Sequence, residues 1–160
     1  MSSSHAILNT LGIVRQMTLG KLESIPEELF DVQPAPFNNT IRWNAGHIAS
    51  TLNSLAFTRT GGSSQLPQEF TEMFKGGTKP SDWTTAPPSK AELLELLKSQ
   101  LPIVTEHCQS RIDEPLAAPV QIRIFELKTA GDVLGFGILH ESQHFAVIND
   151  LLKVINHQRS

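Results

Sequence analysis

The chain has 160 residues, 39 % of them hydrophobic, which suits one globular domain over residues 1–160. Its net charge is −3, with 13 basic and 16 acidic residues and no Lys/Arg cluster, so neither nucleic acid nor a membrane surface is expected as a partner. The single cysteine, Cys108, excludes an internal disulfide. The first residues lack a signal-peptide pattern and no stretch reaches the ~20 apolar residues of a membrane span, so a cytoplasmic location is expected.

Four segments show apolar side chains three and four residues apart, the spacing of amphipathic helices. The first is predicted from about Ser4 to Ser24 and ends at Pro26, which can open one further short helical turn. The second starts at a cap on Asn39 or Thr40 and ends near Thr60, before two glycines. The inward stripe of the first helix is Leu8, Leu11, Val14 or Arg15, Thr18, Leu22 and Ile25.

Residues 61–88 are rich in glycine and proline and form a predicted loop that is long for a connection between helices. Phe70, Met73, Phe74 and Trp83 indicate that it lies on an apolar surface. Two interpretations stay open. The loop is either a functional cover over one end of the helices or a patch along the edge of the core.

The third helix is predicted from a capping box of Ser89 and Glu92 to about Ile112, with a kink at Pro102. Cys108 lies in its apolar pattern, which favours a core residue over a nucleophile. Residues 120–124 alternate between apolar and polar. Because an isolated strand cannot form a sheet, this run is predicted to be a crossover along the helices.

The fourth helix is predicted from near Thr129 to about Asn156. Together the segments predict an all-α fold: an antiparallel four-helix bundle with a long loop between helices two and three and a crossover before helix four.

His140 and His144 lie four residues apart on the apolar stripe of the fourth helix, so their side chains share one face. Two imidazoles at this spacing can bind one metal ion. A buried imidazole needs partners for its ring nitrogens, and one ion would satisfy both side chains. The alternative is a pair of core histidines with separate hydrogen bonds.

A third ligand has to come from another element. His47, beside Ile48 in the second helix, lies near that helix's inward face, and the first half of this helix can lie level with the middle of the fourth. We prefer His47 on that geometry over His107 or the histidines near the chain ends.

The run from His140 to His144 also matches the His-Glu-x-x-His pattern of zinc peptidases, in which the glutamate activates water. That chemistry needs a downstream ligand. Asp150 has suitable spacing, but the glycine that would turn the chain is replaced by Val147. A zinc peptidase is therefore the less favoured interpretation.

Three motifs in order resemble the DinB/YfiT-like superfamily of four-helix bundles over nearly the whole chain: Thr40–His47 (TIRWNAGH), Gly131–Leu134 (GDVL) and the pair His140 and His144, with Phe74–Gly77 (FKGG) in the long loop. The resemblance implies a metal triad of His47, His140 and His144, with zinc or nickel as the foremost ions, and a homodimer. Some members of the superfamily are metal-dependent S-transferases that use a low-molecular-weight thiol such as bacillithiol or mycothiol, relatives include a thiol-dependent isomerase, and many members have no assigned activity. One departure is Phe145–Val147, where many relatives have an Arg-Gly-Gln-like run.

Two classes of function follow. The first is an enzyme, a transferase or hydrolase in which a thiol or water activated by a divalent ion attacks a small electrophile. Glu141 is the candidate base, although it points about 100° around the helix from His140. Asn44 and Gln143 are candidates to hydrogen-bond the imidazoles. The second class is a non-catalytic metal-binding protein with a stress-related or interaction role.

Overall fold

A computed structural model describes residues 3–160. Five α-helices dominate it: α1 Ser3–Ser24, α2 Ile41–Asn53, α3 Gln68–Phe74, α4 Lys90–Cys108 and α5 Ala130–Arg159. The four long helices are the predicted ones, and α1 and α2 each pack against both α4 and α5. The mostly helical fold class is therefore confirmed. The arrangement of the four long helices as an antiparallel four-helix bundle stays a prediction. Among the described residues, none of the helices has the length and hydropathy to cross a membrane.

Most helix ends follow the sequence signals, although α4 ends at Cys108, four residues before the predicted Ile112. Thr40 caps α2 by accepting a hydrogen bond from the Trp43 amide at 3.1 Å, and a five-residue π-helix, Ser54–Thr58, extends α2. Ser89 and Glu92 form the expected capping box of α4, and Thr129 with Asp132 forms a second one at α5. The predicted turn after Pro26 is a short 3-10 helix, Glu27–Leu29.

The prediction of a crossover without a sheet is wrong. Strand β1, Pro115–Ile122, pairs antiparallel with β2, Phe125–Thr129, with Val120 opposite Leu127 and Ile122 opposite Phe125. The chain reverses at Arg123, whose φ of +53° lies in the left-handed region. Turns of this kind usually carry glycine, asparagine or aspartate. The arginine therefore gave no turn signal, and the second strand was missed.

The long segment after α2 is also more ordered than a loop. It contains α3 and a 3-10 turn, Pro80–Asp82. It lies along α2, of which every residue except Thr51 is buried. Asn53 of α2 hydrogen-bonds Ser64 and Gln65 near the start of the segment, and Arg42 donates to the Pro88 carbonyl at its end. The segment therefore encloses α2 along its length.

The apolar core has two main parts, one towards each end of the long helices. The first is formed by α1 after Thr18, the start of α2, Leu93 and Leu97 of α4, and α5 after His144. The second contains Leu11 and Val14, the end of α2 and its π extension, Val104 and Cys108, and Leu134. Cys108 is confirmed as a core residue, and burial raises the pKa of its thiol to about 11.

Candidate metal centre

The structure brings His47 of α2 together with His140 and His144 of α5. One potential ligand atom from each residue lies within 4.8 Å of the other two. The Nε2 atoms of His47 and His140 are 3.0 Å apart, and the His140 and His144 ring centres are separated by 4.4 Å. The single-turn spacing on α5 and the packing of α2 against α5 produce this cluster.

Hydrogen bonds orient two of the three rings. The Nδ1–H of His47 donates to the Phe74 carbonyl at 2.6 Å, and the Nδ1–H of His144 donates to Asn44 Oδ1 at 2.7 Å. A carbonyl oxygen can only accept, so each Nδ1 carries the proton and each Nε2 keeps its lone pair. Metal-binding histidines are commonly held in this way by a second partner.

The Asn44 amide is itself oriented by the backbone. Its Nδ2 donates to the Thr40 carbonyl at 2.8 Å, which turns its Oδ1 towards His144. The hydrogen bond expected from Asn44 is therefore present. Gln143 is exposed, and among the described residues it makes no hydrogen bond to an imidazole.

Helix α3 approaches the site because residue 46 is glycine. A Cβ on Gly46 would lie 2.4 Å from the Phe74 ring, so that ring sits where a side chain would otherwise be. This contact lets the carbonyl of Phe74 reach His47. On the other side, Trp43 stacks on the His47 ring at 4.4 Å between centres, and its indole N–H donates to Thr78 at 3.0 Å.

Burial and mutual repulsion keep the triad neutral. Burial lowers the pKa of His47, and the hydrogen bond to Phe74 opposes this in part. Burial, with the neighbouring His144 and His47, lowers the pKa of His140 to about 3. Burial and His47 lower the pKa of His144 to about 4. Neutral imidazole is the form of histidine that binds a divalent ion, so the residues present fit the metal that the sequence implied.

The carboxylate of Glu141, the candidate base, is buried and bonded to Arg15. It is 2 % exposed, and its two carboxylate oxygens accept from Nε and Nη2 of Arg15 at 2.9 and 3.0 Å. Both oxygens are thus bonded to a guanidinium from α1. The match to the zinc-peptidase pattern therefore lacks the free carboxylate which that chemistry requires.

Sequence reasoning missed two contributors to the site. The carbonyl of Phe74 is a backbone atom, and no residue pattern marks its role. The segment that carries it could have been recognised, because Phe70, Met73 and Phe74 have helical spacing. Arg15 stood in the inward stripe beside Val14, and an arginine at such a position needs a buried partner.

A model of the DinB superfamily matches residues 10–148 of the chain. A crystal structure of a conserved protein from Enterococcus faecalis is similar in fold, with a TM-score of 0.67 at 18 % identity, covering 94 % of this chain and 95 % of that one. Comparison with curated proteins finds no match.

Replacing Gly46 with alanine should weaken the site through α3. The added methyl group would meet the Phe74 ring, so α3 has to move and the hydrogen bond to His47 is lost. We expect Co2+ affinity to fall by about 10- to 100-fold, as for other losses of a ligand's hydrogen-bond partner. Gly12→Ala is the matched control, because nothing lies within 4 Å of its added Cβ. Equal Co2+ affinity in both variants would refute this role for α3.

The metal-free protein should lose stability as the pH falls below 6.5. The unfolded histidines bind protons near their ordinary pKa of 6.5, while folded His140 and His144 resist protonation until about pH 3 to 4. Above pH 6.5 both states are unprotonated and these residues add no pH dependence. Between about pH 4 and pH 6.5, the free energy of unfolding should drop by about 1.4 kcal/mol for each unit by which the pH is lowered, and for each of the two histidines.

Urea unfolding of the metal-free protein at pH 7.5, 6.0 and 5.0 measures this dependence. A variant with His140→Gln and His144→Gln serves as the control, since its amides do not titrate. The double variant should show a clearly flatter profile than the native chain. Identical profiles would show that these histidines are not held neutral in the folded state.

Proposed function

The chain belongs to the DinB superfamily, and from that premise and the geometry of the triad we propose that it is a divalent-metal-dependent enzyme acting on a small electrophile. His47, His140 and His144 hold the ion. One observation carries the proposal: within the described residues, the cluster contains three nitrogen ligands and no fourth histidine, cysteine or carboxylate. Structural zinc sites usually have four protein ligands, whereas catalytic ones keep a position open.

A bound divalent ion lowers the pKa of a thiol or water in its open position. The chain's own residues support that chemistry by holding three neutral imidazoles on one side of the site. Asn44 and the Phe74 carbonyl keep two of the rings in the tautomer that presents Nε2. Trp43 covers the face of the His47 ring and limits its access to water.

A low-molecular-weight thiol is the nucleophile we favour over water. A free thiol has a pKa near 8.5, against 15.7 for water, so its ionisation at neutral pH needs much less assistance. Activation of water is commonly helped by a nearby carboxylate, and Glu141 is bonded to Arg15 instead. In the proposed reaction the thiolate sulfur forms a bond to an electrophilic carbon, and the leaving group departs with the bonding electron pair.

Zinc and nickel remain the favoured ions, because imidazole suits both. The homodimer and the cytoplasmic location stay predictions. The second candidate is a non-catalytic metal-binding protein. The number of ligands favours the enzyme, because three imidazoles leave a divalent ion open to other molecules.

Native protein should bind one divalent ion per chain, and removal of the triad should abolish this. Isothermal titration with Zn2+ and elemental analysis after dialysis measure the stoichiometry. His47→Ala, His140→Ala and His144→Ala should each weaken binding by at least about 100-fold, because two ligands hold an ion far less well than three. His157→Ala, an exposed histidine of the same helix α5, is the control and should bind as the native chain does. Stoichiometric, tight binding by the triple variant would refute the site.

Zinc- or nickel-loaded protein should accelerate the reaction of a thiol with a small electrophile. The assay incubates the loaded protein with cysteine, glutathione, bacillithiol or mycothiol and a bimane halide, and follows fluorescence of the thioether. In His47→Ala at equal metal concentration, we expect the reaction rate to fall to the rate measured in buffer without protein. If no thiol in the panel gives turnover while one ion remains bound, the non-catalytic candidate is correct.

A further inference from the structure

A buried polar network lies between the two parts of the apolar core and contacts all four long helices. Its centre is Arg15 of α1, whose side chain is fully buried. Arg15 forms the two-bond ion pair with Glu141 of α5, and its Nη1 donates to the Leu97 carbonyl at 2.8 Å and to Gln100 Oε1 at 3.1 Å, both on α4. The amide of Gln100 donates to the Ala49 carbonyl of α2 at 2.8 Å.

The network joins the two helices that supply the candidate metal ligands. At one end Glu141 directly follows His140, and at the other Ala49 lies two residues after His47. Between these points run three successive side-chain contacts, from Glu141 to Arg15, from Arg15 to Gln100, and from Gln100 to α2. The position of α5 relative to α2 is thus constrained by directional bonds as well as by apolar packing.

Stability alone is a weak explanation for such a network. Burying an arginine and a glutamate removes both from water, and replacing a buried ion pair by apolar residues of similar volume is often neutral or stabilising. Apolar packing is also less directional than a forked guanidinium–carboxylate pair, which fixes both distance and orientation. What the network adds over an apolar core is therefore geometry.

We propose that Arg15, acting through Glu141, is a positioning residue for the metal centre: it sets the rotation of α5 at which His140 and His144 meet His47. The inference rests on the proposed metal function. It adds that α1, which supplies none of the ligands, holds the ligands on α5 in position. Gln100 completes the device by relating α4 and Arg15 to α2.

The geometry of a helix shows why rotation matters. Side-chain ends lie about 6 Å from a helix axis, so a rotation of 20° moves them by about 2 Å. Metal–ligand distances have to be met to within about 0.2 Å. A rotation of α5 that the apolar core tolerates would therefore separate the His140 and His144 nitrogens from the position that suits His47.

The test is a double variant, Arg15→Met with Glu141→Leu, which removes both charges together and leaves neither buried ion unpaired. Co2+ is the probe. Its visible absorption gives the dissociation constant and reports the ligand geometry, and urea unfolding of the metal-free proteins gives their relative stability. Leu22→Ala, a cavity variant in the same helix α1, is the control for loss of stability without loss of the network.

We expect the double variant to stay folded, with a urea midpoint no lower than that of Leu22→Ala, because both charges are removed together and only the acceptor on Gln100 loses its donor. Its Co2+ dissociation constant should rise at least tenfold, with a changed visible spectrum. Leu22→Ala should unfold at lower urea yet bind Co2+ within about twofold of native, with an unchanged spectrum. A double variant with native affinity and a native spectrum would overturn the positioning role.

A second variant keeps the test decisive if the double variant does not fold. Gln100→Met retains the ion pair but removes both bonds of the Gln100 amide, the one from Arg15 Nη1 and the one to the Ala49 carbonyl. Its dissociation constant should rise several-fold. A native dissociation constant there would overturn the proposal. Failure of the native chain itself to bind Co2+ is a different result, because it would refute the metal function rather than the positioning.

Discussion

The ion pair between Arg15 and Glu141 places two opposite charges in the middle of a helical interior, and the surrounding structure is arranged to accommodate them. Carbonyl and amide groups of α4 take up further guanidinium hydrogens. The apolar core is divided into two parts around this layer. These hydrogen bonds fix the positions of the four long helices relative to one another where the polar layer crosses them. The layer includes residues beside His47 and His140, so the geometry of the candidate metal centre depends on the same hydrogen bonds.

The site combines two kinds of support. The polar network acts from within the helices and relates α5 to α2. The segment after α2 acts from outside, where Phe74 lies against Gly46 and its carbonyl holds the Nδ1 of His47. The hydrogen bonds to Nδ1 leave the Nε2 atoms of His47 and His144 without a proton, and burial of the rings favours their neutral form. A site of neutral, oriented imidazoles gains affinity for a divalent ion because little reorganisation and little proton release accompany binding.

Sequence patterns predicted the four long helices well, since their apolar spacing, caps and terminating residues are strong local signals. His140 and His144 could be paired from their spacing alone. His47 depended on expected packing and on family resemblance, because contact between distant helices leaves no local signal. The two-stranded sheet was not predicted because the chain turns at Arg123, which has a positive φ that arginine rarely adopts. The ion pair of Glu141 could not be predicted because its partner, Arg15, lies 126 positions away in the chain. Where a backbone carbonyl supplies the contact, as at Phe74, residue types carry no information.

X-ray absorption spectroscopy on zinc- or nickel-loaded protein can test whether His47, His140 and His144 bind the ion, because it reports the atoms in the coordination shell. We expect a shell of three imidazole nitrogens, at about 2.0–2.1 Å for zinc, together with light atoms or the sulfur of a thiol added in solution. In the absence of added thiol no sulfur should be present, since Cys108 is buried elsewhere in the core. A spectrum with fewer than three imidazoles, or with protein sulfur bound to the ion, would show that the triad does not hold the metal as proposed.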